Sequence, residues 1–129
     1  MRKTKPPTKS QLERLANLQA GLEQERTELQ RRIGQTESWI RDGGVFGASL
    51  SDNFSSDLEE LVERASHYHQ RLRVLNRTLH RLREGSFGIC AECEQPISQK
   101  RLDAMPTAEY CIRCQQEFEQ APREYAITQ

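Results

Sequence analysis

The feature that most constrains the fold is a heptad repeat in the second half of the chain. Apolar or aromatic side chains recur alternately three and four positions apart, at Leu58, Leu61, Ala65, Tyr68, Leu72, Leu75, Leu79 and Leu82. This spacing aligns the side chains along one stripe of a helix, where they can interlock with a second helix. The stripe predicts a coiled-coil helix that ends near Glu84, before Gly85.

A second heptad frame precedes this stripe and is less regular. Its positions are Leu12, Leu15, Gln19, Leu22, Arg26, Leu29, Ile33, Thr36 and Ile40, of which six are aliphatic. Ser10 and Glu13 form the pattern of a capping box, as do Ser56 and Glu59, and each pattern predicts the start of a helix. The Asp-Gly-Gly sequence after Arg41 predicts the end of the first helix.

These signals predict a mainly α fold with a long antiparallel coiled-coil hairpin, a small four-cysteine module and a short C-terminal helix. The expected organisation is a basic tail at 1–9, a hairpin at 10–84 with a connecting loop at about 42–56, the module with its helix at 85–121, and a tail at 122–129. We call 42–56 the tip loop. The alternative is pairing of each helix with a second chain, which would give a dimeric coiled-coil adaptor for protein–protein interaction.

The overall composition agrees with a helix pair that buries only one stripe. Hydrophobic residues make up 35% of the 129 residues, charged residues make up 29%, and the formal net charge is zero. Zero net charge gives no general attraction to nucleic acid or to anionic membranes. No apolar run follows the basic N-terminus, and none reaches the ~18–20 residues of a membrane span. We therefore expect a cytoplasmic protein, in which paired cysteines bind metal more often than they form disulfides.

All four cysteines lie in two matched pairs, Cys90-x2-Cys93 and Cys111-x2-Cys114, separated by 17 residues. This spacing is typical of one tetrahedral zinc ion held by four thiolates. Four thiolates leave no open position for water, so the site is expected to be structural and the protein not to be an enzyme. An iron–sulfur cluster and a zinc site that also senses oxidation remain alternatives.

Two further properties of the module follow from its sequence. Glu94 follows Cys93 at a position where zinc knuckles often have glycine with a positive φ, and if Glu94 keeps that conformation the cost is roughly 1 kcal/mol. Residues 85–121 carry three basic side chains against six acidic ones. A surface that binds DNA needs clustered Lys and Arg, so we expect no sequence-specific DNA binding by the module.

The segment around the cysteines resembles the four-cysteine zinc finger of the DksA/TraR family. The shared features are Phe87-Gly88-x-Cys90, Ile97, Arg101-Leu102-x-Ala104-x-Pro106-x-Ala108 and Cys111-Ile112-x-Cys114-Gln115. The resemblance implies a bacterial transcription regulator that binds RNA polymerase directly, as a monomer in our expectation. Family members insert their coiled coil through the secondary channel of the polymerase and alter open-complex stability, and many act together with ppGpp.

The sequence departs from the family pattern in two places. The family's Asp-x-x-Asp-x-Ala tip motif is absent, and Asp52 and Asp57 are the best candidates for acidic tip residues. The alternative for both is turn or capping chemistry. Met105 stands where the family has an arginine before the motif's proline, and Gln115 replaces a basic residue. The resemblance therefore implies weak or absent ppGpp contacts, because a polyphosphate needs such cations.

Arginines on the second helix are further candidates for polymerase contacts. No acidic residue lies between Arg64 and Glu84, so most arginines of this helix lack local acidic partners. Arg64, Arg71 and Arg101 are the polymerase-contacting candidates. The alternative is a solvated face whose arginines pair with acidic residues of the first helix.

Overall fold

The computed structural model describes residues 6–42 and 54–120. This part of the chain forms four helices: α1 (Lys9–Asp42), α2 (Phe54–Glu84), α3 (Gln99–Ala104) and α4 (Ile112–Glu119). The mainly helical fold predicted from the sequence is confirmed. Most of the tip loop lies outside the described residues, and Asp52 lies there too. The chain divides into two compact units, Met1–Leu79 and His80–Gln129.

The start of α1 differs from the sequence prediction. The hydroxyl of Thr8 accepts the amide N–H of Gln11 at 3.2 Å, and the Gln11 side chain accepts the amide N–H of Thr8 at 2.8 Å. This reciprocal pair is a capping box, so the prediction that Ser10 caps α1 is wrong. Threonine and glutamine satisfy the same pattern two residues earlier, and the helix begins at Lys9.

The start of α2 also differs. The helix begins at Phe54, so Ser56 lies inside its first turn and not at the predicted N-cap position. Asp57 occupies the same first turn. A carboxylate there interacts favourably with the positive end of the helix dipole.

The heptad positions form the core of the first unit. Leu22, Leu29 and Ile33 of α1 are buried, and so are Leu75 and Leu79 of α2. Leu12 is the exception in the α1 frame, because 52% of its surface remains exposed. The polar frame residues of α1 are half-buried, as expected of long side chains that bury their stems and keep their polar ends in water. The two helices therefore pack through the stripes that the sequence predicts.

Two contacts between the helices define their direction. Arg71 binds Glu25 with an Nε–Oε1 distance of 2.7 Å, and His69 Nε2 lies 2.9 Å from Glu37 Oε1. The later residue of α1 thus meets the earlier residue of α2, so the helices are antiparallel. With position a at Leu12 in α1 and at Leu58 in α2, the first pair joins two g positions and the second joins two e positions. Such flanking contacts fix register and orientation in coiled coils.

The second unit has its own small core around the cysteines. Cys90, Ile97, Leu102, Ala108 and Cys114 are buried together. Half-buried aromatic residues pack against this cluster, and the rings of Tyr110 and Phe118 meet edge to face with centroids 4.9 Å apart. Across the described ranges, no helix has both the length and the apolar character needed to cross a lipid bilayer.

Candidate metal centre

The four cysteines predicted as ligands converge on one point. Their Sγ atoms all lie within 4.8 Å of one another, and Sγ of Cys93 lies 3.8 Å from Sγ of Cys111. Four thiolates at the ~2.3 Å zinc–sulfur distance in tetrahedral geometry are about 3.8 Å apart. Cys90 and Cys114 are buried, whereas Cys93 and Cys111 are half-buried. The donor set and its spacing fit zinc.

Backbone hydrogen bonds shape the first knuckle, Cys90 to Cys93. The amide N–H of Cys90 donates to the carbonyl of Gln95 at 2.8 Å, and that of Glu94 donates to the carbonyl of Cys90 at 3.0 Å. Closing this turn requires a residue with a left-handed backbone conformation, and Glu94 has a φ of 60°. Glu94 therefore keeps the backbone conformation that glycine often adopts at this position of a knuckle.

Gly88 allows the chain to approach the core just before this knuckle. Its φ is 83°, and a Cβ atom at this position would lie 3.3 Å from Cδ1 of Leu102. The carbonyl of Gly88 accepts the amide N–H of Ile97 at 2.7 Å, which joins the segment before Cys90 to the segment after Cys93. A larger residue at 88 would therefore meet both backbone strain and a crowded neighbour.

The start of α4 shapes the second knuckle, Cys111 to Cys114. Cys111 is the N-cap residue of α4, and its sulfur accepts the amide N–H of Cys114 at 3.5 Å. This hydrogen bond fixes the position of the Cys111 sulfur at the N-terminus of the helix. The helix therefore positions both ligands of the second knuckle.

Polar contacts of the backbone join the two knuckles. The amide N–H of Ala91 donates to the carbonyl of Glu109 at 2.8 Å. Nε of Arg101 donates to the carbonyl of Tyr110 at 3.0 Å, immediately before Cys111. Arg101 is half-buried, so part of its hydrogen-bonding capacity holds the second knuckle.

Without a bound cation, two of the four thiols have pKa values that are shifted in opposite directions. Burial raises the pKa of Cys90, but backbone N–H donors, first that of Cys93, outweigh this effect and lower the pKa to about 6. Burial, followed by hydrogen bonds with the other three thiols, raises the pKa of Cys114 to about 12. Four negative charges this close require a cation to be stable together. Zinc supplies that charge, and its binding releases the remaining protons.

Arg113 is a residue of this site that was not predicted from the sequence. The electrostatic attraction of the Cys93 thiolate, with a hydrogen bond to the same sulfur, raises the pKa of Arg113. Four thiolates with one zinc ion carry a net charge of −2, so a guanidinium beside Cys93 offsets part of it. A basic residue between the cysteines of a Cys-x-x-Cys pair is the signal that could have identified it.

The candidates for polymerase contacts lie at separate places. Arg64 and Asp57 are exposed on α2. Arg71 donates two hydrogen bonds to Glu25, at 2.7 and 3.1 Å. Asp52 lies outside the described residues.

The two positions at which the sequence departs from the family's basic residues lie in the second unit. Met105 is 49% exposed directly after α3. The side chain of Gln115 donates to Glu119 at 3.2 Å. Neither residue carries a charge that could bind a phosphate.

The chemistry of the centre is structural. All four ligands come from the protein, so the metal has no open position at which to activate water or substrate. Within residues 6–42 and 54–120, no other cluster of three or more Cys, His, Asp or Glu side chains could hold a metal ion. The centre therefore stabilises a module too small to form a large apolar core of its own.

Comparison with known proteins agrees with this assignment. Residues 85–120 match the family model of the prokaryotic dksA/traR C4-type zinc finger. The match contains both cysteine pairs, so the metal is a structural zinc ion.

Similar proteins extend the likeness beyond the finger. The RNA polymerase-binding transcription factor DksA of Caulobacter vibrioides is 31% identical over 98 residues, which cover 74% of this chain and 69% of that protein. An uncharacterised protein of Aquifex aeolicus is 32% identical over 106 residues, or 78% of this chain and 66% of that protein. The structure of transcription factor DksA2 from Pseudomonas aeruginosa superposes with a TM-score of 0.64 at 26% identity, covering 86% of this chain and 85% of that one. The named relatives are transcription factors and not enzymes.

Proposed function

Because the chain belongs to the DksA/TraR family, we propose that it regulates transcription by binding RNA polymerase directly. The observation that carries this proposal is the pairing, in one chain, of an antiparallel hairpin with a closed four-cysteine centre. The structure of DksA2 from Pseudomonas aeruginosa, also a transcription factor, is similar to this fold over most of both chains. The Caulobacter relative, which matches across the hairpin as well as the finger, is named for polymerase binding.

The proposed mode of action is insertion of the hairpin into the secondary channel. A helix of 31 residues such as α2 is roughly 46 Å long at 1.5 Å per residue, which is long enough to reach into a deep channel. Asp52 within the tip loop and Asp57 directly after it are the proposed effectors at the inner end. Asp57 is exposed, which leaves it accessible to a partner.

Positive charge on α2 provides the proposed contact with acidic walls of the polymerase. Arg64 is exposed, whereas Arg71 and Arg101 already donate hydrogen bonds within the chain. Arg64 is therefore the strongest of the three candidates for a polymerase contact. Arg71 and Arg101 would contribute by keeping the hairpin and the finger in their binding conformations.

We further propose that regulation does not depend on the family's usual ppGpp site. That site needs cations for several phosphate groups, and Met105 and Gln115 supply none. The finger itself carries more acidic than basic residues, which also disfavours binding of promoter DNA. The expected location of such a protein is the cytoplasm, together with the polymerase.

The proposed state is a monomer. The apolar stripes of α1 and α2 are already packed against each other within one chain, with Leu75 fully buried. A dimeric adaptor, the alternative considered from the sequence, would need the same stripes for pairing with a second chain. Light scattering at micromolar concentration distinguishes the two, and a mass of twice 15.0 kDa would contradict the monomer.

The test is transcription in vitro with purified bacterial RNA polymerase. Wild-type protein should bind the polymerase and change the output of promoters whose open complexes are short-lived, to the same extent with and without ppGpp. The double variant Asp52→Asn/Asp57→Asn should still bind but lose the effect on transcription. Glu59→Gln is the matched control, because Glu59 is also exposed near the start of α2.

Each part of the proposal has its own contradicting result. Absence of wild-type binding to polymerase would reject the function as a whole. Binding with unchanged activity of Asp52→Asn/Asp57→Asn would reject the effector role of these two residues alone. A response that appears only with ppGpp would reject independence from this ligand.

A further inference from the structure

The last turn of α2 is held in place by the main chain of Arg81. The carbonyl of Arg81 accepts the amide N–H groups of Ser86 at 3.0 Å and of Phe87 at 3.2 Å. Gly85, with a φ of 78°, reverses the chain between them. The bond from Ser86 back to Arg81 is that of a Schellman motif, which satisfies carbonyls at the helix end.

The side chain of Arg81 reaches the segments that lead into both zinc knuckles. Its Nη2 donates to the carbonyls of Ser86, at 3.3 Å, and of Ile89, while its Nη1 lies 3.5 Å from the carbonyl of Glu109. Ile89 immediately precedes Cys90, and Glu109 lies two residues before Cys111. One half-buried guanidinium therefore contacts the chain leading into each cysteine pair.

This arrangement requires the geometry of arginine. A guanidinium presents five N–H donors in a planar fork, whereas the ammonium of lysine is a single point of charge. The carbonyl of Glu109 already accepts the N–H of Ala91 at 2.8 Å, so Arg81 joins an existing bridge between the knuckles. Metal coordination is what brings Cys90 and Cys111 together, and with them the carbonyls of Ile89 and Glu109.

We propose that Arg81 is a coupling residue that transmits zinc binding at the four-cysteine centre to the last turn of α2. With zinc bound, the carbonyls of Ile89 and Glu109 lie close together and accept hydrogen bonds from the guanidinium. The position of Arg81 is then fixed, and with it the carbonyl that accepts the amide N–H groups of Ser86 and Phe87. Without zinc, the knuckles separate, the guanidinium loses these acceptors, and the helix end frays. This role concerns folding of the chain itself and stands whether or not the chain binds RNA polymerase.

The amide groups of Ser86 and Phe87 report directly on this coupling. Their hydrogen exchange can be measured residue by residue by NMR in the zinc-loaded and the chelated protein. In the wild type, chelation should lower the protection of both amides by at least about tenfold, because unfolding of the finger adds to the loss of one charged hydrogen bond. In Arg81→Met, protection should already be low with zinc present, and zinc should bind about tenfold more weakly in competition with a chromophoric chelator.

Three further variants separate coupling from general damage. Arg81→Lys keeps the charge and should give an intermediate protection. Arg101→Met removes a donor that reaches only the second knuckle, so it should weaken zinc binding yet leave Ser86 and Phe87 protected. Arg73→Met alters an exposed arginine elsewhere on α2 and should change neither measurement.

The proposal is overturned if zinc-loaded Arg81→Met protects Ser86 and Phe87 within twofold of the wild type. It is also overturned if Arg101→Met lowers their protection as much as Arg81→Met does, because the effect would then come from loss of the finger as a whole. Far-UV circular dichroism shows whether α1 and α2 remain helical in each variant. If Arg81→Met loses this signal, Arg81→Lys takes its place in the comparison. The proposal is then overturned if zinc-loaded Arg81→Lys protects Ser86 and Phe87 within twofold of the wild type.

Discussion

Arg71 and Glu25 form a two-point ion pair across the hairpin, with Nε–Oε1 and Nη2–Oε2 distances of 2.7 and 3.1 Å. Both side chains are more than a third exposed, so solvent screens their attraction. A double-mutant cycle with Arg71→Ala and Glu25→Ala should give a coupling energy of about 0.5–1 kcal/mol in urea unfolding. A cycle between Arg71 and Glu13 should give none, and a coupling of zero for the first pair would contradict the prediction.

Glu28 should resist protonation down to strongly acidic pH. Hydrogen bonds from Arg31 and then Arg32 lower its pKa from 4.5 to about 2, with Nη2 of Arg31 only 2.6 Å from the carboxylate. A folded-state pKa below the unfolded value stabilises the fold above pH 4.5, and this contribution is lost as the pH falls towards 2. The carboxyl carbon shift in NMR should therefore titrate near pH 2.

A variant that removes the cause should restore ordinary titration of Glu28. Arg31→Gln/Arg32→Gln takes away both donors, so the midpoint should rise towards 4.5. A midpoint near 4.5 in the wild type would show that the two arginines do not lower the pKa of Glu28 in solution.

The sequence predicted the coiled-coil stripes because burial there depends on side-chain type and spacing. Leu75 and Leu79 are almost fully buried, as their heptad positions require. The helix starts were less predictable because overlapping patterns compete. Thr8 with Gln11 and Ser10 with Glu13 satisfy the same capping rule, and only the folded chain shows that Thr8 caps the helix.

The metal ligands were predictable for the same reason as the stripes, since spacing determines which thiols can share one ion. The surroundings of the centre were not. Arg81 donates to backbone carbonyls of Ser86, Ile89 and Glu109, and a carbonyl is present at every position whatever its side chain. No residue pattern therefore marks such an acceptor before the fold brings it close.

Removal of zinc should unfold the finger and leave the hairpin helical. The finger's helices α3 and α4 have six and eight residues, against 34 and 31 in α1 and α2. A structural zinc ion contributes on the order of 10 kcal/mol to folding of a module this small. A strong chelator should therefore abolish the near-UV dichroism of Tyr110 and Phe118 while lowering the far-UV helix signal only slightly.

The variant Cys114→Ala should behave like the chelated wild type, because it removes a buried ligand. It should also bind less than one zinc ion per chain by elemental analysis. Loss of the whole helical signal on chelation would contradict the expectation that the hairpin holds its structure through its own apolar stripe.

Glu94→Gly should strengthen the zinc centre. Glu94 has a φ of 60°, which costs a residue with a side chain about 1–2 kcal/mol. Glycine removes that strain but loses more chain entropy on folding, about 0.5–1 kcal/mol. The net gain of about 0.5–1 kcal/mol should appear as zinc binding about two- to fivefold tighter in competition with a chelator.

Two variants separate backbone strain from charge in this experiment. Glu94→Gln removes the negative charge and keeps the side chain, so any gain it shows measures electrostatics alone. Glu92→Gly removes a charge from the same knuckle at a residue that does not have a positive φ. At this position glycine relieves no strain and only increases the entropy of the unfolded chain. Glu94→Gly should therefore bind zinc more tightly than either control, and equal affinities would show that the left-handed conformation costs nothing in solution.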